Sequence, residues 1–204
     1  TQDGINMVQT AEGGLAETTN ILQRIRELAL QSANGTQSAE NRAAINVEVI
    51  QLLEQIDDIA TDTEFNGVRV LSGNQILTLQ SGFQQGQTLQ GVVSNASAAA
   101  LGLTTLQVST LAGAVAAISQ IDTALRSVTT LRATLGAQQN RLEFTIATLA
   151  IQEENSAASE SAIRDADIAR ETIDFTRNQI LLTAGTSILA QSNIVPQTAL
   201  QLLG

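Results

Sequence analysis

In the second half of the chain an aliphatic residue recurs every seventh position: Ile121, Val128, Leu135, Leu142 and Leu149. On an α-helix, a strict seven-residue repeat keeps one apolar line against a partner only if the helices wind around each other with a left-handed supercoil. The companion positions Ile118, Leu125, Arg132, Gln139, Ile146 and Glu153 are mixed in character. The helical pattern holds over residues 110–161, which at a rise of about 1.5 Å per residue predicts a helix roughly 75 Å long. An element of that length needs partner helices of comparable length.

Two such partners are legible upstream. A helix over 3–33 carries the seam Val8, Ala11, Leu15, Thr18, Leu22, Ile25, Ala29, spaced alternately by three and four. Asn34-Gly35 stops it, because both residues tolerate the left-handed backbone at a helix exit. Ser38 is the expected N-cap of a second helix, with Glu40 in its first turn near the positive end of the dipole. That helix runs over 39–63 on the seam Ile45, Val49, Leu52, Ile56, Ile59, and Asn66-Gly67 marks the turn after it.

Residues 68–106 lose the helical period. Glycine recurs, and the segments 75–80 (QILTLQ) and 87–93 (QTLQGVV) alternate as a β-hairpin does. Near residues 160–170 charges occupy most faces, so a joint is expected there. A last amphipathic helix begins near Glu171 with Ile173, Ile180, Ala184, Ile188 and Val195 on one side, and Pro196 is expected to bend or interrupt it. The stretch from Asn178 onward is too apolar to stay in water uncovered. The fold class that follows is mainly α: an elongated antiparallel helical bundle or coiled-coil rod, with a small β-hairpin region and a carboxy-terminal helix.

Composition removes most chemistry. Aromatic residues make up 2% of the 204 positions, which suits long aliphatic seams better than a compact aromatic core. The net charge is -10, and all ten basic residues are arginine, so there is no basic face for nucleic acid or for an anionic membrane. No run reaches transmembrane length. Cysteine and histidine are absent, which removes disulfides, thiol and imidazole catalysis and the usual zinc sites. Asp57, Asp58, Asp62 and Glu64 cluster at a helix end without calcium-loop spacing and read as a solvated acidic face. Glu153-Glu154 and Asp165/Asp167 have no pocket-forming sequence, nucleophile elbow or phosphate loop around them, so no catalytic, cofactor or metal site is expected. Asn34-Gly-Thr36 and Asn95-Ala-Ser97 have glycosylation-sequon spacing.

One stretch does more than pattern a helix. In residues 20–35, NILQRIRELALQSANG, Arg24 and Leu28 sit one turn apart beside the seam of Leu22, Ile25 and Ala29. Either Leu28 widens the buried stripe while Arg24 is solvated, or an arginine beside an exposed leucine forms a protein-binding hot spot.

The stretches TAEGGLAETTNILQRIRELALQSANGTQS, IDDIATDTEFNGVRVL, LGAQQNRLEFTIATL and AGTSILAQSNIVPQTALQLL resemble bacterial flagellin, and with the helices between them the likeness covers most of the chain. The resemblance implies a rod domain over 1–163 and a carboxy-terminal filament-core helix over 164–204, with the large outer domains of many family members absent. It implies a structural subunit that is exported unfolded through the flagellar channel without a cleaved signal peptide, and that packs into the extracellular filament to support motility. Implied partners are other flagellin subunits, an export chaperone, filament cap and junction proteins, and a vertebrate Toll-like receptor that senses flagellin. No nucleic acid, membrane insertion or cofactor is implied. QRIREL places Gln23, Arg24 and Leu28, with Glu48 on the second helix, at positions of the receptor-recognised and subunit-contacting type. Ile121, Val128, Leu135, Leu142 and Leu149 become the coiled-coil seam, and Ile173, Ile180, Ile188 and Val195 the chaperone-binding or filament-core helix. The chain starts at Thr1 within a helical pattern, so the family's amino-terminal helix, the usual partner of the carboxy-terminal one, is expected to be missing and the chain alone to polymerise poorly. Two alternatives remain: a hook–filament junction protein of the same architecture, and a non-flagellar coiled-coil surface or adhesin protein.

Overall fold

A computed structural model describes residues 1–73, 75–82, 85–164 and 167–203, with side chains except those of 75–77, 92–93 and 193–203. The order is α1 (Gln2–Ser32), α2 (Ala39–Asp62), β1 (Glu64–Phe65), β2 (Val68–Arg69), β3 (Gln75–Gln80), β4 (Thr88–Val93), α3 (Leu111–Arg164) and α4 (Ile168–Leu203). The fold is mainly α with two small antiparallel strand pairs. The chain divides into two compact units, Thr1–Ala150 and Ile151–Gly204.

In the first unit α1 is the central helix. All seven of its seam positions are buried, and Ile5, Met7, Ile21 and Leu28 widen the buried arc. Thirteen α1 residues are buried against four in α2, which is what a helix with neighbours on more than one side requires. Ion pairs fix both neighbours as antiparallel. Arg24 meets Glu48 of α2, and Arg42 of α2 reaches back to the end of α1. Arg26 meets Asp122 of α3, while Glu12, further back on α1, meets Arg132 further along α3.

The corner between α1 and α2 is set by polar groups. Ser38 caps α2, its hydroxyl accepting from the Asn41 N–H at 3.2 Å. The Arg42 guanidinium donates to the carbonyls of Ser32 (2.8 Å) and Asn34 (2.9 Å), groups left open at the end of α1. Asn66 and Gly67 both have positive φ, as a tight type I′ turn demands, and they join β1 to β2 as a hairpin too short to read from its sequence. The longer hairpin pairs Gln75 with Val93 through Gln80 with Thr88.

The hairpin region expected over 68–106 contains more than a hairpin. Residues 94–110 form no helix or strand, yet Leu101, Leu103, Leu106 and Val108 are buried in the same core. Side chains of the helices hold this loop in place. Asp57 accepts from the Ala98 N–H at 2.8 Å, Asn46 accepts from the Val108 N–H at 3.0 Å, and the Ser32 hydroxyl donates to the Val108 carbonyl at 2.5 Å. Asp57, expected on a solvated acidic face, is therefore a structural anchor. The sequon spacing has a local cause as well: Asn34 and Asn95 each accept from the backbone N–H two residues on, at 3.2 and 2.9 Å, forming Asx turns.

On α3, Ile121, Val128, Leu135 and Leu142 are buried and Leu149 is half-buried. The row beside them differs from expectation. Ala114, Ala117 and Ala124 are buried, while the companion residues Ile118 and Leu125 are only half-buried. The buried face of α3 therefore carries alanines beside the bulky line, with Ile118 and Leu125 at its edge. No residue from Ala150 to Arg164 is even half-buried.

The second unit contains the end of α3 and all of α4. α4 starts at Ile168, ahead of the expected Glu171, because Asp167 caps it: its carboxylate accepts from the Arg170 N–H at 3.3 Å. The helix continues through Pro196 to Leu203 without the expected interruption. Asp165 lies outside the described residues. None of α4's described side chains is buried.

Candidate functional surfaces

The Arg24 surface is built from the corner upward. With Arg42 clamped onto the end of α1, α2 runs back along α1 in a register that sets Glu48 opposite Arg24. Arg24 Nε and Nη2 both donate to Glu48 Oε1, at 3.1 and 2.7 Å, and Nη1 donates to Glu27 Oε2 at 3.4 Å. The hydrogen bond to Glu48 and that carboxylate's charge, supported by Glu27, push the Arg24 pKa further up. The result is an exposed guanidinium held in one orientation by two carboxylates, a pre-ordered polar feature on a helical ridge.

Of the four residues singled out by sequence, Gln23 and Arg24 are exposed and Glu48 is half-buried on this surface. Leu28 requires correction. It is 2% exposed and belongs to the core cluster, so it widens the buried stripe and cannot act as a surface hot spot in this conformation. The cause is the breadth of α1's buried arc, which takes in positions beside the simple seam.

Sequence reading missed a neighbouring groove. Gln23, Arg26, Glu27, Asp122 and Leu125 line it, with Arg26 Nε donating to Asp122 Oδ1 at 2.8 Å across the floor. The partners are 96 residues apart, and nothing local in QRIREL announces the pairing.

α4 offers a different kind of surface. Ile173, Ile180 and Ile188 are all exposed, and Val195 lies among the residues whose side chains are not described. The expectation of one apolar side understates the helix, because Phe175, Leu182 and Leu189 are exposed as well. Among the described residues no cluster of three or more metal-ligating side chains occurs, and no helix is long and apolar enough to cross a membrane.

Residues 1–76 match the bacterial flagellin N-terminal helical region and residues 118–203 the bacterial flagellin C-terminal helical region. The chain is 42% identical over 219 residues to the flagellar filament 33 kDa core protein of Treponema phagedenis, covering 99% of this chain and 77% of that one. It is 43% identical over 205 residues to the flagellin of Halalkalibacterium halodurans, covering 99% and 75%. Among solved structures, the crystal structure of Bacillus cereus flagellin is similar with a TM-score of 0.63 and 30% identity, over 78% of this chain and 92% of that one.

Proposed function

The chain belongs to the bacterial flagellin family, a structural subunit of the flagellar filament and not an enzyme, and from that membership we propose how its surfaces divide the work. Assembly with other flagellin subunits belongs to the family; which residues carry it is the proposal. The rod domain, through the exposed ridge of α1 and α2 bearing Gln23, Arg24 and Glu48, contacts neighbouring subunits, and a dispersed subunit offers the same ridge to a vertebrate Toll-like receptor. The observation that carries this reading is the Arg24–Glu48–Glu27 arrangement. A guanidinium already fixed in the free chain loses little side-chain freedom on binding, which is a property of hot-spot arginines. Leu28 supports the ridge from beneath.

The seam of Ile121, Val128, Leu135, Leu142 and Leu149 holds the rod together. α4, with Ile173, Ile180, Ile188 and Val195, is the filament-core helix, and before export it is the segment an export chaperone shields. Its reason is physical: a helix this apolar with no buried described side chain needs a cover in every state. Cap and junction proteins meet the subunit at the filament ends, and the route out is the flagellar channel.

The test is binding of the dispersed chain to the receptor ectodomain by surface plasmon resonance. Arg24→Ala is expected to weaken binding by about 1–2 kcal/mol, with Leu125→Ala near neutral. An Arg24→Ala affinity equal to that of the unsubstituted chain removes Arg24 from the site.

A further inference from the structure

An asparagine followed by glycine carries a built-in reaction, because the glycine nitrogen, unshielded by a side chain, can attack the asparagine Cγ. How fast it does so depends on what stabilises the charge that develops. At the exposed corner between α1 and α2, Asn34-Gly35 has two donors in place. The Thr36 N–H donates to Asn34 Oδ1 at 3.2 Å, and this oxygen turns anionic once Cγ is attacked. The Arg42 guanidinium donates to the Asn34 carbonyl at 2.9 Å. That carbonyl and the Gly35 nitrogen belong to one peptide, so a cation on the oxygen favours loss of the Gly35 proton and arms the nitrogen. The Gly35 N–H donates to no other group among the described residues. Two other asparagines lack this combination. Asn66-Gly67 is the same dipeptide, but it is held in the turn of a paired hairpin with Asn66 at φ 51, and its Oδ1 accepts no hydrogen bond among the described residues. Asn95 makes the same side-chain contact as Asn34, but the next nitrogen is that of buried Ala96 and is committed to the Leu71 carbonyl at 2.9 Å.

We propose that Asn34 is a self-modification site, its side-chain amide hydrolysed through a cyclic imide while Arg42 and the Thr36 N–H stabilise the charge of the attack. Water or hydroxide takes the Gly35 proton, and the bond from the Gly35 nitrogen to Cγ forms. The bond from Cγ to the side-chain nitrogen then breaks, and that nitrogen leaves as ammonia. One water opens the imide to aspartate or isoaspartate, so the net change is water in and ammonia out. Either product adds a negative charge at the corner. Isoaspartate also routes the main chain through the former side chain, which displaces the carbonyl that Arg42 grips and loosens the clamp between α1 and α2. The inference concerns the single subunit and stands apart from the filament reading.

The full chain is incubated warm at mildly alkaline pH, either folded or in urea. Conversion is followed by mass spectrometry, and isoaspartate is read with an isoaspartyl methyltransferase. Trypsin separates the sites, since Arg26, Arg42 and Arg69 place Asn34 in the 27–42 peptide and Asn66 in the 43–69 peptide. In the folded chain Asn34 is expected to convert faster than Asn66, and faster than Asn34 does in urea. Arg42→Gln is expected to slow Asn34 about tenfold, the worth of one hydrogen bond to a charged group, with Asn66 unchanged. Arg42→Lys, which keeps the charge, is expected to restore part of the rate. Gly35→Ala, where the added Cβ meets nothing, is expected to stop the conversion. Folded Asn34 that converts no faster than in urea overturns the proposal. So does an Arg42→Gln chain in which Asn34 speeds up, because Arg42 then restrains the corner instead of promoting attack. If circular dichroism shows that Arg42→Gln unfolds α2, the folded-against-urea comparison of the unsubstituted chain decides alone.

Discussion

Gly13 and Gly14 are adjacent in α1 and have opposite surroundings. A Cβ on Gly13 would meet nothing, whereas one on Gly14 would come within 2.7 Å of Leu71 Cδ1 and 2.9 Å of Thr63 Oγ1. Leu71 is fully buried and cannot swing aside. Gly13→Ala is therefore expected to raise stability by up to about 1 kcal/mol through helix propensity. Gly14→Ala is expected to lower it by about 1–3 kcal/mol through overpacking. Urea midpoints of the two variants should move in opposite directions. Ser38 supports a second pair of predictions. Its hydroxyl caps α2, and the Glu40 carboxylate is held below its ordinary pKa by its own backbone N–H and by Ser38. A depressed carboxylate adds stability above its unfolded pKa, and that contribution is lost as pH falls through the lower folded value. Ser38→Ala should cost about 1 kcal/mol at neutral pH and lessen the fall in stability on acidification, both read from urea melts across the acid range. Arg24, by contrast, stays charged below its already high and further raised pKa, so its pairing gives no such signature at its own titration.

At the scale of elements, α3 combines two demands, a bulky line and a small line. Leu135 is buried on the first, and Leu135→Ala should cost about 2–5 kcal/mol. Ala124 is buried on the second, and Ala124→Leu should cost about 1–3 kcal/mol because the added atoms have no space. The contrast shows what the sequence made legible. Seven-residue spacing of large aliphatics picked out four buried positions of α3, Ile121, Val128, Leu135 and Leu142, and three-four spacing picked out seven buried positions of α1, because periodicity records which way a helix faces. Alanine escaped that reading, because it is common on exposed and buried faces alike. The 94–110 loop escaped for the opposite reason. Leu101, Leu103, Leu106 and Val108 follow no helical period, and their anchors, Asp57, Asn46 and Ser32, lie far away in sequence. Leu28 was legible as apolar and as adjacent to Arg24, but whether it faced in or out depended on how many helices surround α1.

For the whole molecule, the long stretch without packing from Ala150 to Arg164 separates two regions of different character. Limited trypsin digestion should cut first at Arg164, Arg170 or Arg177, which lie outside the first unit's packed helices, and leave a fragment starting at Thr1 that keeps its helical circular dichroism. Early cleavage at Arg26 or Arg132 would contradict the packing described for the first unit. The hairpin has a consequence of another kind. Gln80 and Thr88 are register partners, so the chain leaves β3 and enters β4 at nearly the same point. What comes before is secured through Leu71, and what comes after is fastened by the Asp57, Asn46 and Ser32 anchors. The tip is thus a docking port with a fixed footprint: a guest domain whose own termini lie close together can be spliced in there, since each doubling of loop length costs only about 0.6 kcal/mol. Such a chimera should melt at nearly the parent's temperature, and family members of very different bulk can share one frame.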